Sequence, residues 1–295
     1  MKTRKFYMVD VFAENKYSGN QLAVFPDAAD MSKQEMQCLA KEINFSETTF
    51  ILSQYRENSR YKVRIFTPEK EVPFAGHPTL GTAFIIQKEF IQEQVKEIIL
   101  DLKAGLIPVS VTYEHNKPDM FCMKQKSPRF GKTIDQKIMA EALSLKTNDF
   151  MGSYPIQEVS TGLPFLIVAL KSLKAVKQSC VQREIFFDVI KDLKAKAVLI
   201  FTDQTLFREN QLHARVFADY FGVPEDPATG SANGCLAAYL AKHDFFNKPK
   251  ISIQVEQGYE IKRPSRLYLK AHKRDESIDV YVGGKVFLTA RGEFV

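Results

Sequence analysis

The sequence predicts an α+β protein of two similar halves, each a curved, mostly antiparallel sheet wrapped around one central helix. Three observations carry this. Arg64-Ile65-Phe66 followed by Val72-Pro73, and Arg215-Val216-Phe217 followed by Val223-Pro224, recur at one spacing without a gap. Each copy then runs into a glycine-bearing turn and an apolar helix. These are Phe74-Ala75-Gly76-His77-Pro78-Thr79-Leu80-Gly81 and Asp226-Pro227-Ala228-Thr229-Gly230-Ser231-Ala232-Asn233-Gly234. Finally, short strand-like runs fill both halves and alternate with helices too irregularly for a doubly wound parallel sheet.

The elements follow in order. Lys5–Val11 is rich in aromatic and β-branched residues and reads as a strand. Tyr17-Ser18-Gly19-Asn20 is a turn signal, and Leu22–Phe25 a second strand. A helix starts at Ser32, with Glu35 three residues on completing a capping box. Met36, Leu39, Ala40 and Ile43 form its apolar face, and Asn44 ends it. Thr48–Leu52 and Tyr61–Phe66 are strands. A helix follows from Pro78 to Gln87, with the proline in the first turn, where its missing N–H is harmless. Ile107, Val109, Val111 and Tyr113 alternate as a half-buried strand, and Phe121–Met123 forms another.

The polar segment Lys124–Lys132, with its Pro and Gly, is the expected linker. The predicted halves are therefore residues 1–123 and 124–295, with the last strand free to return to the first. Beyond the linker lie helices near Asp135–Leu143 and Arg183–Leu193, and strands at Phe165–Leu170 and Ala197–Phe201. The second repeat and a helix through Leu240 come next. Strands at Ile251–Val255, Leu267–Ala271, Ile278–Val282 and Val286–Thr289 finish the chain.

Composition narrows the function. The 295 residues are 45% hydrophobic and 26% charged, an ordinary globular balance. The net charge of +6 is spread among neighbouring acids, which does not make a nucleic-acid stripe. No apolar run is long enough to span a membrane, and the basic N-terminus lacks the apolar core of a signal peptide, so the expected compartment is the cytoplasm. The four cysteines contain no Cys-x-x-Cys pair and read as reduced, mostly buried thiols. The five histidines show no metal spacing, and no nucleotide or flavin motif occurs, so no cofactor is expected.

Chemistry points to the two glycine turns. A helix start has unpaired N–H groups and the positive end of the dipole, and glycine lets a ligand approach closely. Two such ends at Gly76 and Gly230 suit one carboxylate between the halves, with His77 and Ser231 at equivalent places adding donors. Each is also, read alone, an ordinary turn or N-cap residue. Asp226 occurs in the second copy only; it is either a turn opener or a carboxylate that holds an amino group or His77. Glu47, in Asn44-Phe45-Ser46-Glu47-Thr48-Thr49-Phe50, sits where a helix gives way to a strand among apolar and β-branched neighbours. A desolvated carboxyl there suits proton abstraction and return, although a glutamate at such a junction is more often solvated.

Ser18–Phe25, Asn44–Phe50, Phe74–Gly81 and Asp226–Ala232 together, in this order over nearly the whole chain, resemble the PhzF family of phenazine-biosynthesis-like isomerases. The resemblance implies the diaminopimelate epimerase-like fold, with the site in the cleft between two similar halves. It implies Glu47 as the proton-shuttling acid/base, with Asn20, Gly76, His77, Asp226, Gly230 and Ser231 around a small carboxylated substrate. It also implies a homodimer and a biosynthetic, cofactor-independent proton shift. Epimerases and racemases of this architecture carry a cysteine at each of these turns. Here Ala75-Gly76-His77 and Thr229-Gly230-Ser231 have none, and Cys235, one helical turn on, reads as core. A two-thiol racemase is thereby disfavoured. A non-catalytic binder of the same fold, or an epimerase using two groups other than cysteine, stays open at this stage.

Overall fold

The computed structural model describes residues 3–55 and 60–295; Met1 and Lys2 of the basic N-terminal run lie outside the described residues. The chain forms two compact units, Met1–Met123 with Gly283–Val295, and Lys124–Val282.

In the first unit, β1 (Arg4–Val11) runs antiparallel to β2 (Asn20–Phe25) on one side and to the last strand of the chain, β18 (Val286–Phe294), on the other. Helix α1 (Lys33–Ile43) leads into β3 (Thr48–Tyr55), which is parallel to β2 and antiparallel to β4 (Arg60–Phe66). The short β5 (Glu71–Val72) folds back on β4 and delivers the chain to α2 (Gly76–Ile85). A π-helical turn, Ile86–Ile91, extends α2, and β6 (Glu97–Leu102), β7 (Gly105–Glu114) and β8 (Lys117–Lys124) complete an antiparallel meander.

Side-chain alternation explains why this sheet has helices on two faces. Phe25, Phe50 and Phe66 point outward and pack with Met36 and Ala40 of α1; the Phe25 and Phe50 rings stack with centroids 4.9 Å apart. Thr49, the neighbour of Phe50, points inward and accepts a 2.8 Å hydrogen bond from Thr82 of α2. Every residue of α2 except Phe84 is buried, and strands β1, β2, β3, β6, β7 and β18 surround it. A helix apolar on all sides is what such a position demands. Gly81 marks the closest approach: a Cβ there would lie 2.6 Å from Leu22 Cδ2 and 2.9 Å from Val11 Cγ2.

The second unit repeats the plan. β9 (Arg129–Ile134), β10 (Ile156–Ser160) and β11 (Pro164–Ala169) are antiparallel neighbours, and β12 (Val198–Thr202) lies parallel to β11. β13 (Leu212–Ala218) pairs with β12, with the short β14 (Val223–Asp226) and, in parallel, with β15 (Lys250–Gln257). β16 (Ser265–Lys273) pairs with β15, and β17 (Ile278–Gly284) precedes the return to β18. Helices α3 (Gln136–Ala142), α4 (Leu173–Gln178) and α5 (Arg183–Ile190) contribute to one apolar cluster with β11 and β12. The central helix is α6 (Gly230–Lys242), buried at every residue but Ser231 and Lys242.

The repeated Arg-x-Phe has a structural use. Arg64 lies over the Phe66 ring at 5.0 Å and Arg215 over Phe217 at 4.6 Å. Each guanidinium also grips a carboxylate with two bonds, Arg64 to Glu71 at 2.8 Å and Arg215 to Glu225 at 3.0 and 2.8 Å. These forks tie the strand before each glycine turn to the short strand that delivers the turn.

Several expectations need correction. The polar linker Lys124–Lys132 holds the start of β9, because Phe130, Thr133 and Ile134 pair with β10; Gly131 leaves room for Glu158, whose Oε1 would be 2.3 Å from a Cβ. The capping box forms only in part. Ser32 Oγ accepts from Glu35 N at 3.1 Å, but the Glu35 carboxylate turns to Arg4 at 2.9 Å. Cys38 and Cys180 are exposed, although all four thiols are free as expected. Among the described residues no helix is long and apolar enough to cross a membrane.

Candidate active site

Helix α1 stops at Asn44, whose left-handed conformation (φ 56°) lets its N–H return to Ala40 O at 3.1 Å. The chain then turns through Phe45, Ser46 and Glu47 before Thr48 enters β3. The fully buried Thr48 and Thr49 anchor this junction, and the Glu47 side chain is 20% exposed. Glu47 Oε2 lies 3.5 Å from His77 Nε2. His77 is the second residue of α2, and the same nitrogen is 3.2 Å from the carbonyl oxygen of Gln21 in β2. A carbonyl only accepts, so Nε2 carries the hydrogen. Burial pushes His77 down to about 3, with the Gln21 bond opposing that shift, so the imidazole is neutral.

The start of α2 is open. Ala75 is extended (φ −150°) and has no polar side chain to cap the helix. Thr79, which could compete for the free groups, donates its hydroxyl to Ala75 O at 2.7 Å. Gly76 and His77 therefore present backbone N–H groups that no N-cap side chain covers. Asn20, the first residue of β2, is buried and adjoins Gln21. Within the first unit, then, the Glu47 carboxylate, the His77 imidazole and the Gln21 carbonyl meet, with Gly76 beside His77 and Asn20 beside Gln21.

In the second unit Asp226 ends β14 and Gly230 begins α6. The carboxylate of Asp226 accepts a hydrogen bond from the Thr229 hydroxyl. Thr229 is the N-cap residue of α6, yet its side chain does not cap the helix, so Gly230 and Ser231 begin a second open helix start. Ser231 is half-buried and is the second residue of α6, as His77 is of α2. Thr229, Gln257 and Asn233 frame this turn and were not singled out from sequence. Thr229 and Asn233 lie inside the repeated glycine-turn run, but Gln257 carries no local signal, since a buried amide is legible only from its partners.

Other titratable groups have structural roles. Cys235 is buried, and burial pushes its thiol up to about 12, so it is inert. His213 sits between two carboxylates, Nδ1 2.8 Å from Glu256 and Nε2 3.0 Å from Glu260. Burial opposes its charge, but the two carboxylates outweigh burial and raise its pKa. Glu256 also accepts from Asn210 Nδ2 at 2.7 Å and from the backbone N–H of Leu206, so this cluster pins the 206–210 loop to β15. Among the described residues no group of His, Cys, Asp or Glu could hold a metal ion.

The family described as phenazine biosynthesis-like protein, PhzC-PhzF, matches residues 9–292. The chain belongs to this family. A trans-2,3-dihydro-3-hydroxyanthranilate isomerase of Pseudomonas aeruginosa is 33% identical over 97% of this chain and 98% of its own. A PhzF-family phenazine biosynthesis protein of Bacillus anthracis superposes with a TM-score of 0.91 at 28% identity, covering all of both chains. A predicted epimerase from Pseudomonas aeruginosa superposes with a TM-score of 0.82 at 32% identity over 99% of each chain. This PhzF-family protein is an isomerase, and its α+β architecture is the two-domain epimerase-like fold.

Proposed function

We propose that the enzyme moves a proton within a small carboxylated metabolite, without a cofactor, with Glu47 as the one acid/base. The Glu47 carboxylate takes a proton from a substrate carbon. The C–H electron pair passes into the adjacent π system, and the Glu47 carboxyl, whose acid proton exchanges with solvent, delivers a proton to another carbon, so the product is an isomer and nothing is oxidised. In this reading both helix starts bind the substrate. The N–H groups near Gly76 and Gly230 hold its carboxylate, Asn20, His77, Asp226 and Ser231 orient it, and the backbone N–H groups with the Ser231 hydroxyl stabilise developing negative charge.

One observation carries the reading: Glu47 lies against a histidine that burial keeps neutral. With a pKa of about 3, His77 is too weak a base at neutral pH to share the proton work. His77 is instead a hydrogen-bond donor, fixed by the Gln21 carbonyl. This favours a one-carboxylate proton shift over epimerisation by a Glu–His pair. The similarity to the Pseudomonas aeruginosa isomerase supports trans-2,3-dihydro-3-hydroxyanthranilate as the first substrate to try.

The test is incubation with that compound in deuterated water, followed by NMR of the substrate carbons. The wild type is expected to introduce deuterium at carbon, and Glu47→Gln to lose turnover by roughly 10²–10⁴-fold while keeping the wild-type melting temperature. Exchange that survives in Glu47→Gln would refute the assignment. Tight binding without exchange in the wild type would make the protein a binder. The same reading includes a homodimer in the cytoplasm.

A further inference from the structure

Strand β15 ends in two residues whose side chains leave opposite faces. Glu256 turns to His213, and Gln257 turns to the Asp226–Thr229 turn. Gln257 is fully buried. Its Nε2 donates to the Asp226 carbonyl at 2.8 Å and to Thr229 Oγ1 at 3.3 Å. Its Oε1 accepts from Asn233 Nδ2 at 2.8 Å, and Asn233 donates to the Thr229 carbonyl at 3.1 Å. The two backbone carbonyls can only accept, so they fix which end of each amide is nitrogen. The orientation of Gln257 is therefore set, and it presents a donor to Thr229. Thr229 Oγ1, accepting there, directs its single hydrogen to the carboxylate of Asp226.

The consequence reaches α6. Thr is a favoured N-cap residue because its hydroxyl accepts from an N–H in the helix's first turn. Thr229 occupies the N-cap of α6 with extended backbone (φ −107°, ψ 91°), yet makes no such bond. Gln257 and Asp226 hold its hydroxyl away. The backbone behind the turn is equally fixed. Gly258 follows Gln257 in the left-handed region (φ 78°), and a Cβ there would lie 2.6 Å from Pro227 O and 2.4 Å from Arg263 O.

We propose that Gln257 is a positioning residue: by holding the Thr229 hydroxyl on Asp226 it keeps Thr229 from capping α6, and so keeps that helix start open for the substrate carboxylate. The proposal rests on the reading that Asp226 and the α6 start bind substrate. Gln257 acts through Thr229 and does not itself touch substrate. Methionine and leucine at position 257 fill much of the same volume but lose the donor to Thr229 and Asp226 and the acceptor for Asn233.

The experiment reads the Thr229 side chain by NMR on threonine-labelled full-length protein, from the three-bond couplings of its methyl carbon to backbone N and C′. The wild type is expected to show one χ1 rotamer, with nuclear Overhauser contacts from the Gln257 side-chain amide. Gln257→Met and Gln257→Leu are expected to lose that single rotamer in favour of the capping one. In the same variants KM for trans-2,3-dihydro-3-hydroxyanthranilate should rise by a larger factor than kcat falls; the melting temperature also falls, because the Asp226 carbonyl and the Asn233 amide lose a buried partner, so the rotamer and the split between KM and kcat carry the test. A role in packing alone would lower the melting temperature and leave KM unchanged. An unchanged rotamer in both variants overturns the proposal. So does a wild type whose Thr229 averages rotamers or already caps α6, a measurement that needs no variant to fold. The rotamer needs no substrate, so it decides the role of Gln257 even if Glu47→Gln refutes the proton shift.

Discussion

His77 is buried and neutral, and that state has a measurable cost in acid. Its pKa of about 3 in the fold compares with about 6.5 in an unfolded chain. Between these values the unfolded chain binds a proton that the folded protein does not. The stability this group confers is therefore present above pH 6.5 and is lost as the pH falls toward 3, at up to about 1.4 kcal/mol per pH unit. Urea unfolding at pH 7 and pH 5 should show a smaller acid loss for His77→Asn than for the wild type. Equal losses would mean that the imidazole is solvated. His213 has the opposite sign. Its pKa is raised, so its contribution is present below about pH 6.5 and is lost as the pH rises through its folded value. Its partners Glu256 and Glu260 are lowered despite burial, so theirs is present above the unfolded carboxylate range and lost as the pH falls through their folded values. His213→Gln leaves these carboxylates uncompensated and should cost about 3–5 kcal/mol at pH 7. Acidification should recover part of that loss in unfolding curves.

At the scale of elements, the central helices are decided by how closely the sheet approaches them. A Cβ on Gly81 would lie 2.6 Å from Leu22 and 2.9 Å from Val11, closer than a Cβ tolerates, and a tight 3.1 Å from Val9. Gly81→Ala must push β1 and β2 outward or rotate their side chains, and overpacking of this kind costs about 1–3 kcal/mol. Chemical denaturation should read that loss, and an unchanged midpoint would mean that the barrel yields freely. Element type was legible wherever the local pattern was strong. The apolar face of α1 and its Asn44 end were read from spacing, and the glycine turns gave both central helices. Boundaries were less legible. Helix α2 starts at Gly76, two residues before the predicted Pro78, because Ala75 is the last extended residue and no polar cap advertises the start. β6 was missed although Ile98, Leu100 and Leu102 alternate inward and Gly105 follows as a turn signal. β9 was hidden because Gly131, which makes room for the Glu158 side chain, reads locally as a loop residue.

For the whole molecule, the inferred homodimer predicts a solution mass near twice 33.7 kDa, which light scattering on the purified protein measures. A monomer at micromolar concentration would remove that part of the reading. The sequence by itself determined the two-fold repetition of the architecture, the class of fold and the glycine turns, because these depend on periodicity and on backbone demands that act over a few residues. It also named Glu47 and His77 as candidates, through motif and resemblance. Only the tertiary structure decided that the two touch, that His77 is neutral with its hydrogen on Gln21, and that Gln257 reaches back to Thr229. His77 and Gln21 are 56 residues apart, and Gln257 and Asp226 are 31 apart. Contacts over such distances are set by strand pairing and burial, and so are protonation and hydrogen-bond direction, which no local run of residues encodes.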